Sequence, residues 1–190
     1  MDQDSKLIAE KYFHDVFNED NKLTHDYSCT MAMVEGEPLA YFQKFINTII
    51  DSKDIGKGGL EYETHCTILY GTHTSNVNDI KKIIAQSGIN KIRFYLKGIS
   101  SFPAGNDGVP LKIDVESKEL KTLNKLLSQL PHTTDFPVYK PHITLGYLVP
   151  GQEKKYLNIK DPFKNAKFST SIIQFSNQNG EKINFDLKDL

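Results

Sequence analysis

The chain lacks tryptophan, and only one of its 23 basic residues, Arg93, is arginine. Its net charge is −1, so it has no overall positive field to hold a long nucleic acid, although a local patch would suffice for a small nucleotide. No apolar run approaches the roughly 18 residues that a membrane helix needs. The acidic start, Met1-Asp2-Gln3-Asp4, has the wrong chemistry for a signal peptide. We therefore expect a cytoplasmic protein with no membrane partner.

Cysteine is also scarce. Cys29 and Cys66 are the only two, and both lie in apolar segments with strand-like patterns. Two cysteines without CxxC spacing cannot form a zinc site by themselves, and the sequence contains no HExxH or EF-hand pattern. We expect two buried thiols in a reducing compartment, with no disulfide, no bound metal and no cofactor.

One tetrapeptide pattern, His-x-Thr followed by an apolar residue, occurs twice. His65 and Thr67 belong to the first copy, and His142 and Thr144 belong to the second. Both copies lie in segments that read as buried strands, where alternate side chains point to the same face. Each copy therefore presents an imidazole beside a hydroxyl. Two such pairs suit metal-free phosphoryl transfer, because the histidines can exchange protons with the nucleophile and the leaving oxygen while the threonines bind the phosphate oxygens.

A single His-x-Thr would be weak evidence, because a lone strand histidine is more often a structural, part-buried residue. The second copy and the similar flanking residues favour a catalytic role over a structural one. Cys-Thr-Ile-Leu-Tyr-Gly follows His65, and Ile-Thr-Leu-Gly-Tyr-Leu follows His142. The remaining histidines lack the threonine partner, and we do not expect them to act in catalysis: His14, His25, His73 and His132.

On these motifs the chain resembles the 2H phosphoesterases, which are named for two His-x-Thr/Ser motifs. The matching residues are 65–68 and 142–145, and the resemblance extends from about Tyr27 to the C-terminus. It implies an α/β (α+β) fold with two pseudo-symmetric lobes, mainly antiparallel sheets around a central groove, and helices outside. It also implies an enzyme that cleaves phosphodiesters without a metal, using His65, Thr67, His142 and Thr144.

Residues 65–71 and 139–147 also resemble the phage branch of that family, which includes anti-CBASS enzymes that destroy the cyclic nucleotide alarm signals of bacterial defence. Abundant lysine, asparagine and isoleucine are typical of AT-rich genomes, as in many phages. We therefore expect a small cyclic oligonucleotide substrate. The alternatives are a phosphodiesterase for RNA ends, 2′,3′-cyclic phosphates or 2′–5′ oligonucleotides, and a protein that sequesters a nucleotide without cutting it. Oligomeric state does not follow from the sequence.

The pattern of apolar residues predicts a helical extension in residues 1–26, with a stripe from Asp4 to Phe17, and a bilobed domain in residues 27–190. The extension either packs against the domain or covers the groove. Strands are expected at 27–34, 62–70, 91–99, 109–116, 138–149, 167–175 and 182–187, and helices at 38–51, 76–87 and 117–130. The glycine-rich segment 55–60 lacks the P-loop pattern, and we interpret it as a flexible loop.

Strand parity adds further candidates for the groove. Lys140 lies on the face of His142, where its ammonium would approach a phosphate, and Glu63 lies on the face of His65, either orienting an imidazole or meeting solvent. In the strand at 91–99, the residues Arg93, Tyr95 and Lys97 share one face. An aromatic ring between two cations is a reasonable nucleobase platform, and a solvated sheet face is an equally good interpretation.

Overall fold

The computed structural model of the chain describes residues 26–134, 138–160 and 162–190. Nearly all of the expected N-terminal extension therefore lies outside the described residues. The strands are β1 (Ser28–Met33), β2 (Ile55–Leu60), β3 (His65–Thr72), β4 (Ile92–Ser101), β5 (Val109–Glu116), β6 (His142–Leu148), β7 (Lys167–Thr170), β8 (Ile172–Ser176) and β9 (Lys182–Asp186). The helices are α1 (Gly36–Ile49), α2 (Val77–Ala85), α3 (Lys118–Leu127) and α4 (Glu153–Leu157), with 3-10 turns at Ser52–Asp54 and Leu187–Asp189.

The strands form two antiparallel sheets. The first sheet has the order β3-β1-β8-β9, and the second has the order β2-β6-β5-β4-β7. The two motif strands, β3 and β6, belong to different sheets and contact each other. The expected two-lobed α/β fold is confirmed, with one motif strand in each lobe.

Alternation along the strands explains why the core forms where it does. In β4, buried residues alternate with exposed ones from Ile92 to Lys97, as a sheet with one covered face requires. In β5, every second residue from Val109 to Val115 is a buried apolar residue, and Lys112 is buried as well. Helices α2 and α3 bury one apolar face each, and α3 packs against β3 and β4. Ser117 caps α3 by accepting a hydrogen bond from the main-chain nitrogen of Leu120. No helix among the described residues is long and apolar enough to cross a membrane.

The glycine-rich segment was wrongly interpreted as a loop, because it forms strand β2 and pairs with β6. Its glycines permit a close approach to neighbouring chain segments. A Cβ atom on Gly58 would lie 2.6 Å from the Tyr147 ring, and one on Gly56 would lie 2.9 Å from the carbonyl oxygen of Leu148. The sequence pattern predicted a loop because glycine has a low strand propensity. In this segment tertiary packing determines the strand conformation instead.

Two motif-strand boundaries and the last hairpin also differ from expectation. β3 continues through Gly71, which was expected to end it, and β6 begins only at His142. The single strand expected at residues 167–175 is divided at Ser171, so that β7 joins the second sheet and β8 joins the first. The short helix α4 was not anticipated.

Gly71 holds the end of β3 against the segment after α3. Its φ is +94°, its carbonyl oxygen accepts a hydrogen bond of 2.9 Å from the main-chain nitrogen of Thr133, and an added Cβ would lie 1.8 Å from the Thr133 carbonyl oxygen. We expect Gly71→Ala to lower the free energy of unfolding by more than the about 1–2 kcal/mol that a left-handed conformation alone costs. Gly88→Ala is the matched control, because its φ is +63° and nothing lies within 4 Å. If urea denaturation shows that Gly71→Ala and Gly88→Ala lower the free energy of unfolding equally, the Thr133 contact is unimportant.

Candidate active site

The first motif lies at the start of β3. His65 and Thr67 are half-buried on one face, whereas Cys66 and Ile68 are fully buried on the other. In the neighbouring strand β1, Met33 pairs with His65 and Met31 pairs with Thr67. The expected parity is therefore present in the structure, and apolar side chains flank this motif on its own sheet.

The second motif lies at the start of β6 and has the same arrangement. His142 and Thr144 are half-buried, and Ile143 and Leu145 are fully buried behind them. The neighbouring strand is β5, where Asp114 pairs with His142 and Lys112 pairs with Thr144. The two motifs thus have different neighbours, since the first is flanked by methionines and the second by charged residues.

Both motif histidines are oriented in the same way. The Nδ1 atom of His65 lies 2.6 Å from the carbonyl oxygen of Glu63, and the Nδ1 atom of His142 lies 2.8 Å from the carbonyl oxygen of Lys140. A carbonyl oxygen only accepts hydrogen bonds, so Nδ1 carries the proton in each ring. The Nε2 atom of each imidazole is therefore the nitrogen available for proton transfer.

Two side chains from other segments donate hydrogen bonds to the main chain of the first motif strand. The Tyr139 hydroxyl, just before β6, donates a hydrogen bond of 2.8 Å to the carbonyl oxygen of Thr67. The Asn124 amide from α3 donates one of 2.8 Å to the carbonyl oxygen of Ile68. Burial lowers the pKa of His142, and the nearby charge of His65 lowers it further, so the two imidazoles are electrostatically coupled. The structure therefore brings the two predicted pairs close to each other, on strands that are in contact.

A cluster beside His142 was missed in the sequence. Lys112 is only 4% exposed, and its ammonium donates to the Asp114 carboxylate and, over 2.6 Å, to the Ser100 hydroxyl. The Lys112 Nζ atom also lies 4.3 Å from the centre of the Phe102 ring, which packs edge-to-face against the His142 ring at 4.8 Å. Alternation in β5 placed Lys112 and Asp114 opposite the core, but their pairing with β6 depends on a register that the sequence does not reveal.

Glu61 is a second residue that sequence reasoning missed. It follows β2, and its main-chain nitrogen donates a hydrogen bond of 3.0 Å to the carbonyl oxygen of Leu145. Burial raises the pKa of its carboxyl group, while the nearby His65 lowers it. Glu61 in turn contributes, after burial, to a raised pKa of Tyr147. The Glu61 carboxylate therefore lies near both His65 and Tyr147.

Glu63 and Lys140 contribute through their main chains. Their carbonyl oxygens orient the two imidazoles, as described above, while the Glu63 carboxylate forms an ion pair with Lys182. The Lys140 side chain is exposed. Its predicted role in binding a phosphate stays a prediction.

The strand face with Arg93, Tyr95 and Lys97 is exposed, as its alternation predicted. Arg93 forms an ion pair of 2.6 Å with Glu119, and Lys97 forms one of 2.8 Å with Glu116. Tyr95 is 40% exposed, and the Lys167 ammonium lies 5.5 Å from the centre of its ring. Both cations already have carboxylate partners, which weakens their attraction for phosphate. A nucleobase platform at Tyr95 stays a prediction.

Both cysteines are free thiols. Cys66 is fully buried and Cys29 is part-buried, and burial raises the pKa of each thiol to about 12. Such thiols are not ionised near neutral pH and do not act as nucleophiles. Among the described residues, no group of three or more histidine, cysteine, aspartate and glutamate side chains is arranged to hold a metal ion.

Comparison with solved structures shows the fold of a 2H phosphoesterase. The Kluyveromyces marxianus Usb1 structure is matched with a TM-score of 0.59 and 11% identity, over 85% of this chain and 98% of that one. The TT0787 structure of Thermus thermophilus is matched with a TM-score of 0.60 and 14% identity, with the same coverage. A structure of the Kluyveromyces marxianus protein with uridine monophosphate is matched with a TM-score of 0.51 and 10% identity, again over 85% and 98%.

The particular family follows from a family model. Residues 43–187, most of the chain, match the model of the anti-CBASS protein Acb1, and the chain belongs to that family. No curated protein matches it. Membership confirms the expected resemblance and supports a phosphodiesterase-type anti-CBASS function with a small cyclic nucleotide as ligand.

Proposed function

We propose that this protein is a metal-independent phosphodiesterase that opens small cyclic oligonucleotides of bacterial defence by general acid–base catalysis with His65 and His142. The observation that carries the proposal is the matched orientation of the two imidazoles. Each Nδ1 donates its proton to the carbonyl oxygen two residues earlier, at 2.6 Å and 2.8 Å, and each Nε2 is left for proton transfer. Two histidines presented alike from two lobes suit a reaction that removes one proton and adds another.

In the proposed reaction, the nucleophile is the ribose 2′-hydroxyl beside the scissile 3′–5′ phosphodiester. One neutral imidazole takes its proton as the bond between O2′ and phosphorus forms. The other imidazole, as the imidazolium ion, gives a proton to O5′ as the bond between phosphorus and O5′ breaks. The products are a 2′,3′-cyclic phosphate and a free 5′-hydroxyl, which together make a linear oligonucleotide.

Thr67 and Thr144 have the proposed role of binding the non-bridging phosphate oxygens. Both hydroxyls are half-buried on the same strand face as the histidine of their own motif. Negative charge on these oxygens is stabilised best by donors that are held in place before the reaction. The fully buried residues between and after the motif side chains, such as Ile68 and Ile143, hold the strands in position.

The charge distribution supports a compact ligand. The net charge is −1, and Arg93, Lys97, Lys112 and Lys182 have carboxylate partners. A long RNA would require unpaired cations along its path, because each phosphate contact is balanced by a positive group. The neighbour recorded with uridine monophosphate shows that a protein of this fold accommodates a nucleotide.

A substrate panel tests this function. The purified chain, incubated in EDTA with cyclic di- and trinucleotides, a 2′,3′-cyclic mononucleotide and a 2′–5′ dinucleotide, is expected to linearise a cyclic oligonucleotide fastest, as measured by mass spectrometry. EDTA should leave the rate unchanged, because no proposed step involves a metal. Recovery of bound but uncut nucleotide would favour sequestration, preferential cleavage of the 2′,3′-cyclic mononucleotide would favour processing of RNA ends, and a strict metal requirement would refute the mechanism.

A further inference from the structure

The two motif histidines have unlike charged neighbours. His142 lies beside Lys112, which is almost fully buried on the neighbouring strand β5. His65 lies on the other lobe, where the Glu61 carboxylate accepts a hydrogen bond of 3.1 Å from the main-chain nitrogen of Glu63, whose carbonyl oxygen contacts the His65 ring. A nearby ammonium group favours a neutral imidazole. The groove is therefore symmetric in its motifs and asymmetric in its electrostatics.

We propose that Lys112 is a positioning residue that, with Phe102, keeps His142 neutral, so that His142 is the general base and His65 is the general acid. This inference rests on the proposed function. It goes further by dividing the two roles between the histidines, and by assigning a task to two residues outside the motifs.

Geometry argues that Lys112 acts through His142 and does not contact the substrate phosphate. Its ammonium already donates to Asp114 and to Ser100, and it lies over the face of the Phe102 ring. An ammonium group has three donors, and these partners occupy it from several sides. At 4% exposure, the residue is also largely closed off from solvent. Its charge still acts on His142, because screening by solvent is weak at a buried site.

Phe102 completes the arrangement. Its ring packs edge-to-face against the His142 ring, with centres 4.8 Å apart, and carries the Lys112 ammonium on its own face at 4.3 Å. The ring covers part of the imidazole and so removes water that would stabilise the charged form. Phe102 thus contributes burial, while Lys112 contributes charge.

The groups that face His142 have opposing effects, and the balance decides its protonation. Burial is the largest influence and lowers the pKa of His142. The hydrogen bond to the carbonyl oxygen of Lys140 raises it, Lys112 and then His65 lower it, and Asp114 raises it. On balance the pKa of His142 is below the ordinary value for histidine, which favours a neutral imidazole that can act as a base.

The charges of Lys112 and Asp114 give a test with opposite signs. In Lys112→Met, loss of the positive charge is expected to raise the pKa of His142 by about one pH unit. In Asp114→Asn, loss of the negative charge is expected to lower it. Structural loosening would expose the imidazole and raise its pKa in either variant, so the downward change distinguishes a charge effect from damage. Lys112→Arg keeps the charge and should leave the pKa nearly unchanged.

The measurement is an NMR titration of imidazole resonances in the full chain without substrate, with the His142 signals assigned by comparison with His142→Gln. If neither charge substitution changes the titration midpoint of the His142 resonances, or if both raise it, the role of Lys112 is refuted. Because this readout needs no turnover, it stands even if no cyclic oligonucleotide is cut and the proposed function fails.

The division of roles is tested by the pH dependence of kcat/KM on the substrate that the panel identifies. A general base must be neutral, so its pKa sets the acidic limb of the profile. We expect Lys112→Met to move the acidic limb upward, Asp114→Asn to move it downward, and the alkaline limb to stay in place. Movement of the alkaline limb instead would make His142 the acid and overturn the assignment.

Discussion

Replacing either His65 or His142 with alanine is expected to lower kcat by about 10²–10⁴-fold, because each histidine supplies one of the two proton transfers. Replacing Thr67 or Thr144 with valine keeps the shape of the side chain and removes only the hydroxyl, so we expect a loss of at most about 10²–10³-fold. KM should change less than kcat for all four variants, since these groups act mainly on the transition state. Single-turnover rates on the cyclic substrate would measure the chemical step directly.

His73 provides a matched control. It is an exposed histidine that follows β3, where its Nε2 atom lies 2.9 Å from the Thr133 hydroxyl and its ring stacks on Tyr27 at 5.3 Å. His73→Ala should retain the activity of the unchanged protein. Full activity of His142→Ala or His65→Ala would exclude paired-histidine catalysis, whereas equal losses in His73→Ala would indicate a general effect of removing a histidine from this region.

The sequence predicted the parts of the fold that depend on local alternation. Strands β4 and β5 each have one buried face, so their apolar residues recur at every second position and their extents were nearly right. The same rule placed His65 with Thr67 and His142 with Thr144. Strand β2 escaped prediction because its glycines are required by close packing, with the Tyr147 ring occupying the space that a side chain on Gly58 would need.

The parts of the candidate site that were missed depend on pairing between distant segments. Alternation showed that Lys112 faces away from the core, but only the register of β5 and β6 places it opposite Thr144. The carbonyl contacts that orient the two imidazoles also require the main-chain path just before each strand. Cross-strand neighbours of a motif, read from a structure, therefore reveal how the two halves of a symmetric site differ.

A substrate analogue that lacks the attacking group is expected to be inert. If the nucleophile is the 2′-hydroxyl beside the scissile phosphate, a 2′-deoxy substitution removes the attacking oxygen, and a 2′-O-methyl group blocks it. The unmodified cyclic oligonucleotide should be linearised, while a compound modified at every ribose should be recovered intact over the same time. The modified compound should still compete with the unmodified substrate for binding, because it retains the ring, the bases and the phosphates.

The position of the modification makes this test specific. In a cyclic dinucleotide with two 3′–5′ linkages, a single 2′-deoxy substitution should protect the linkage on the 3′ side of that ribose and leave the other linkage open to cleavage. Mass spectrometry of the linear product would then find the 2′,3′-cyclic phosphate on the unmodified ribose alone. Cleavage at the blocked position would mean that water attacks the phosphorus, and one of the two imidazoles would then activate water in place of the ribose hydroxyl.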